Sequence, residues 1–123
     1  MELNLSKLRK TWLIDIDGTI VKHNGYKENG EDQLLEGIDH LFSNISSNDT
    51  VIMLTARKRC YKEQTENFLK SNNIRFDYVI YDLPHGERIL INDRKASGLK
   101  TAFAVNGIRD EALNLIVRED ESL

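Results

Sequence analysis

The sequence has almost no cysteine: Cys60 stands alone in 123 residues. A single thiol excludes a disulfide framework and a thiolate metal cluster, and it suits a reducing, cytoplasmic setting. Long apolar runs are missing as well. Lys7, Arg9 and Lys10 are not followed by the apolar stretch that a signal peptide or membrane span needs, so neither is expected. No charge sign is in large excess. The net charge of −3 argues against broad binding to nucleic acid or anionic membranes, and no nucleic-acid or membrane partner is expected. Internal repeats and low-complexity linkers are also absent. What remains, 40% hydrophobic, is the composition of one globular domain over residues 1–123. A chain of this length buries about two-thirds of its unfolded surface without staples.

The most informative stretch is Trp12-Leu13-Ile14-Asp15-Ile16-Asp17-Gly18-Thr19-Ile20. An apolar run such as Trp-Leu-Ile suits a central parallel strand covered on both faces, and here it breaks on acids. An unpaired carboxylate in such a place costs several kcal/mol or takes up a proton. Asp15 and Asp17 are two apart, so an extended chain points both to one side, roughly 6–7 Å apart at Cα. Two acids aimed together call for a cation, a shared proton or both. A strand followed by a plain Asp-Gly turn is the alternative. An EF-hand is excluded, because its glycine falls at position 6 and Gly18 falls at position 4.

Two later segments repeat the pattern of an apolar strand breaking on a polar residue. They are Met53-Leu54-Thr55-Ala56-Arg57 and Ile89-Leu90-Ile91-Asn92-Asp93-Arg94. Strands are expected at 11–16, 50–54, 76–81, 88–91 and 101–105, and helices at 33–46, 58–72 and 109–118. Asn24-Gly25 between two short arms predicts a hairpin flap over about 20–30. Residues 1–10 read as a lead-in whose Leu3, Leu5 and Leu8 pack on the sheet edge. Alternating strands and helices imply an α/β, doubly wound parallel sheet. Ligands of such sheets lie beyond the carboxyl ends of the strands, where Asp15, Thr55 and Asp93 all fall.

Asp15, Asp17 and Asp93 suit a hard divalent cation, Mg²⁺ above all. Beside them, the Thr55 hydroxyl, basic side chains and backbone amides at Gly18 and Thr19 suggest a bound phosphate. A carboxylate can attack phosphorus to form an aspartyl-phosphate, with a second acid moving the proton.

Asp15-Ile16-Asp17-Gly18-Thr19 resembles the first motif of the haloacid dehalogenase superfamily of phosphohydrolases. Met53–Arg57 resembles its second motif and Ile91–Arg94 its fourth, so the resemblance spans residues 11–106. It implies a Rossmann-like sheet of order 5-4-1-2-3 without a cap domain and Mg²⁺ dependence. Asp15 would be the nucleophile and Asp17 the acid/base, with Thr55 holding the phosphoryl group. Asp15, the backbone carbonyl of Asp17 and Asp93 would bind the metal, with Asn92, whose amide oxygen can still coordinate, standing where the family often has a second acid. Within the superfamily the resemblance is to small phosphatases of capsule and surface-polysaccharide synthesis. The implied activity is hydrolysis of a small phosphorylated metabolite, such as a sugar or polyol phosphate, by an enzyme whose open site either admits large substrates or is closed by a neighbouring subunit of a homo-oligomer. The family's lysine is replaced by Leu83. Arg88 and Lys95 are the candidates to supply that charge, with Lys95 favoured because it follows the strand's carboxyl end. Ala56 and Arg57 are further candidates to touch phosphate.

Two rivals belong to other classes. A non-catalytic phosphate- or partner-binding domain is motivated by Leu83 and Asn92. A receiver-type signalling domain is disfavoured, because its acceptor lies on the third strand and here that strand ends in Tyr81-Asp82-Leu83.

Overall fold

The apolar segments at 11–15, 50–54 and 78–80 become parallel strands, and Ile38 and Leu69 of the intervening helices pack on them. The computed structural model describes residues 1–28 and 30–123. Strands β2 (Thr11–Asp15), β3 (Thr50–Leu54) and β4 (Tyr78–Ile80) form a three-stranded parallel sheet in that order, with Asp15 opposite Leu54 and Leu54 opposite Ile80. A second, two-stranded parallel sheet pairs β1 (Glu2–Leu5) with β5 (Ile116–Glu119). The protein is thus a small α/β fold with parallel strands in two sheets.

Parallel neighbours need crossover connections. Between β2 and β3 the chain runs through helix α1 (Gly25–Glu28) and helix α2 (Ile38–Ser43). Between β3 and β4 it runs through a 3-10 turn (Arg59–Tyr61) and helix α3 (Lys62–Ser71). Ile14, Ile16, Val51 and Met53 of the sheet region pack with Ile20, Val21, Ile38, Leu69 and Ile74 as the buried core. Asp49 fastens the amino ends of β2 and β3. Its carboxylate accepts from the Lys10 amide, the Trp12 indole and the Ser46 amide, and burial, which opposes the charge, is outweighed so that its pKa is lowered.

Several expectations are corrected. The helix expected at 33–46 is confined to α2, because Gly37 precedes it at φ 81° and residues 33–35 are taken by another partner. Lys22 N–H donates to the Gln33 carbonyl and Leu35 N–H to the Ile20 carbonyl, so these arms run antiparallel. The flap is therefore wider than a two-residue hairpin. Asn24 takes the left-handed conformation and leads into α1 rather than into a returning strand. Asn29, within the expected flap, lies outside the described residues.

The helix expected at 109–118 is instead a turn followed by β5. Leu113, Leu115 and Val117 alternate inward while Ile116 and Arg118 face out, which is a strand period. The strands expected at 88–91 and 101–105 do not form, and Ile89 and Ile91 are 83% and 90% exposed. A strand needs a ladder partner as well as β-forming residues. Here Arg88 is drawn to Asp15, and a tight turn closed by Gly98 N–H on the Lys95 carbonyl sets Asn92 against Thr101. The five-stranded order 5-4-1-2-3 is accordingly not seen. Among the described residues, no helix is long and apolar enough to cross a membrane.

Candidate active site

Asp15 ends β2, and the chain then turns sharply: Ile20 and Val21 both return their N–H groups to the Ile16 carbonyl. Gly18 makes this turn possible at φ 85°, and a Cβ there would lie 3.1 Å from Arg109 Cγ. The turn uses its own amides, since Gly18 N–H donates to the Val21 carbonyl and Thr19 N–H to that of Ile16. The expectation that Gly18 and Thr19 offer free amides to a phosphate therefore fails, because closing so tight a turn consumes them.

Both oxygens of Asp15 are engaged. Thr19 Oγ1 donates to Oδ2 at 3.1 Å, and Arg88 Nη1 donates to Oδ1 at 2.7 Å. Arg88 and Asp15 are each a little over one-third exposed, so a ligand can reach both. Of the two candidates for the missing lysine, Arg88 is the one whose side chain reaches Asp15. Lys95 sits in the exposed turn with its amide on the Leu99 carbonyl. The strand that was to carry Lys95 past the sheet does not form, whereas the long side chain of Arg88 reaches Asp15 from the preceding loop.

Asp17 belongs to a different network. Thr55, fully buried just beyond β3, donates its hydroxyl to Asp17 Oδ2 at 3.3 Å and accepts the Arg57 amide at 3.0 Å. Arg57 lies under the surface, 2% exposed, with its fork on Asp17 and Asp32. Its guanidinium also stacks 4.0 Å from the Tyr26 ring centre, which itself meets Tyr61 edge-on. Burial opposes the Arg57 charge, but the bonds from Asp32 and Asp17 prevail and raise its pKa further. Arg57 thus spends its donors inside the protein instead of on a substrate phosphate, and Thr55 steadies Asp17. Ala56, between them, is half-buried. The loop after β4 is tied to this corner, as Asp82 N–H donates to the Arg57 carbonyl and Leu83 N–H to that of Thr55.

Asn92 and Asp93 are not brought to Asp15. Asn92 Nδ2 donates to Thr101 Oγ1 at 2.9 Å, the Thr101 hydroxyl donates to the Asp93 carbonyl, and both residues are exposed. Among the described residues, no group of three His, Cys, Asp or Glu side chains gathers as a metal site. Two residues that the sequence reading passed over do belong here. Asp32 hides in the polar run Glu31-Asp32-Gln33, which reads as solvated. Arg109 lies against Gly18 because Asp110 docks beside it, its N–H on the Gly18 carbonyl and its carboxylate on the His23 N–H.

No protein-family model matches the chain, and no curated protein matches it. Two solved structures do. A chain of the Pnkp1/Rnl/Hen1 complex is 26% identical with a TM-score of 0.52, over 68% of this chain and 31% of that one. A chain of the Pnkp1/Rnl/Hen1 RNA repair complex is 25% identical with a TM-score of 0.52, over 69% of this chain and 29% of that one. The protein spans less than a third of the length of these neighbours. They correct the resemblance to capsule-associated haloacid dehalogenase phosphatases and the implied small sugar or polyol phosphate. The similar chains belong to a complex that repairs RNA. The expectation of no nucleic-acid partner and of a place in polysaccharide synthesis is corrected with it. Net charge is a sum over the whole molecule and does not register a local placement such as Arg88 on Asp15.

Proposed function

We propose that the protein is a phosphohydrolase that removes a terminal phosphate from RNA. The observation that carries the substrate class is the likeness to chains of an RNA repair complex over about two-thirds of the protein. Repair of a broken strand requires that each end carry the right phosphate or hydroxyl, so hydrolysis of an end phosphate is chemistry such a complex needs. The geometry supports the reaction type: an accessible carboxylate at a strand's carboxyl end, a guanidinium on it, and a second carboxylate two residues on.

In this reading Asp15 Oδ attacks phosphorus and the bond to the ribose oxygen breaks. Asp17 gives that oxygen a proton and later takes one from the water that attacks the aspartyl-phosphate, which releases inorganic phosphate and restores Asp15. Arg88 leaves Asp15 for the phosphate oxygens as they arrive, and its planar fork suits them. A Mg²⁺ ion fits the oxygen donors of the Asp15 carboxylate and the Asp17 backbone carbonyl, since Mg²⁺ is commonly held by one or two carboxylates together with substrate phosphate and water. When bound, it supplies positive charge to the transferring phosphoryl group. A cytoplasmic setting, suited to the lone thiol of Cys60, is part of the same proposal.

Phosphate release from RNA oligonucleotides phosphorylated at the 5′ or the 3′ end tests this. Release with Mg²⁺ that stops in EDTA and returns on adding the metal is expected, and no release from either end would overturn the reading. Arg88→Ala should lower kcat/KM on the order of a hundredfold, as loss of a charge at the transferring group does. Its stability should change by less than about 1 kcal/mol, because the ion pair is over one-third exposed on both sides.

A further inference from the structure

Asp17 cannot serve as acid and base unless its carboxylate is aimed at the reacting oxygens, yet Arg57 grips it. Arg57 Nη2 donates to Asp17 Oδ1 at 2.8 Å, and Nε lies 3.1–3.2 Å from both Asp17 oxygens. On the other side of the same fork, Nη2 reaches Asp32 Oδ1 at 2.6 Å and Nη1 reaches Asp32 Oδ2 at 2.9 Å. Thr65 Oγ1 accepts a further bond from Nη1 at 3.0 Å. The Asp32 side chain is 2% exposed, so it meets the guanidinium rather than water.

We propose that Asp32 is a positioning residue for the proton transfer. Its carboxylate pins the far side of the Arg57 guanidinium, so that the Nε–Nη2 edge holds Asp17 in one orientation, toward the leaving oxygen. The inference rests on the proposed function and extends it to a residue outside the acidic turn. Guanidinium has five N–H donors in a fixed plane, so the fork cannot rotate toward one acid without letting go of the other. With Asp32 intact the plane is fixed from two sides and backed by the Tyr26 ring. Without its charge, the guanidinium is held from one side only, and the Asp17 carboxylate in its fork loses that fixed aim. Attack by Asp15 is untouched, while protonation of the departing oxygen suffers in the first step and removal of a proton from water suffers in the second. A ribose oxygen leaves badly without a proton, whereas an aryl oxygen leaves without one. The consequence is specific to the leaving group, which a loss of general structure would not be.

The test compares wild type with Asp32→Asn on two esters, an end-phosphorylated RNA oligonucleotide and p-nitrophenyl phosphate. The expected result, read in a single turnover so that only transfer to Asp15 is followed, is that cleavage of RNA falls on the order of a hundredfold while release of p-nitrophenol stays within a few-fold of wild type. Equal losses on the two esters would overturn the positioning role and leave the proposed function standing. A wild-type protein that hydrolyses neither ester would overturn both. Should Asp32→Asn fail to fold, Thr65→Val is read in its place, since it keeps the volume and removes only one bond from Nη1. A gap between the two esters of about threefold or more in that variant is the supporting result, as loss of a single hydrogen bond implies, and no gap overturns the role.

Discussion

Asp15→Asn should abolish phosphate release, by on the order of a thousandfold or more, while the protein stays folded. An amide has the shape of the carboxylate but cannot attack phosphorus. The substitution is mild structurally, because each contact at Asp15 has an answer. An amide oxygen turned to Arg88 Nη1 still accepts its bond, and the amide nitrogen can donate to Thr19, whose hydroxyl reverses its role. The site is partly open, so the lost charge is not a buried one. Unfolding midpoints of the two proteins should therefore agree closely, and rates measured side by side decide the point. Activity within tenfold of wild type would rule out Asp15 as nucleophile.

Arg57→Met should cost the fold about 3–5 kcal/mol, the usual penalty for removing one partner from a buried ionic cluster. The side chain is 1% exposed, and its loss strands Asp32 (2% exposed) and Asp17 (16% exposed) without their cation. It also takes a partner from the Thr65 hydroxyl and from the Tyr26 ring. In thermal melts the midpoint should fall by on the order of 10–20 °C. Adding Asp32→Leu to that variant should recover part of the loss, because a buried carboxylate with no counter-charge is the costly element. A midpoint for Arg57→Met within about 2 °C of wild type would show that the cluster contributes little to stability.

The strand–turn at 11–19 was legible because it breaks a strong pattern, apolar residues giving way to acids, and the structure puts Asp15 at the end of β2 as expected. β3, with Thr55 just past its end, and most of the helix expected at 58–72, seen as α3 after a 3-10 turn, could be read from the regular period of their apolar residues. Direction of burial could not be read at Arg57. A sequence places an arginine after a strand, but only the fold shows that Tyr26, Asp32 and Thr65, distant along the chain, enclose it. The parallel pairing of β1 with β5 joins residues more than a hundred positions apart, and nothing local specifies it. Its one local sign, the alternation of Leu113, Leu115 and Val117, was masked by Ala112 and Ile116, which complete a helical stripe. Segments 88–91 and 101–105 show the converse. Their residues favour strands, yet a strand is a relation between two segments, and in this structure Arg88 answers to Asp15 instead.

The most direct measurement is to follow the phosphate itself. RNA bearing a labelled terminal phosphate is mixed with the protein and Mg²⁺, quenched in acid during turnover, and the protein is digested and its peptides examined for label. Transient label on the peptide containing Asp15, chased off by water and absent in Asp15→Asn, is the predicted result. Steady release of phosphate from RNA by the wild type, with label on no peptide or on one lacking Asp15, would contradict the account.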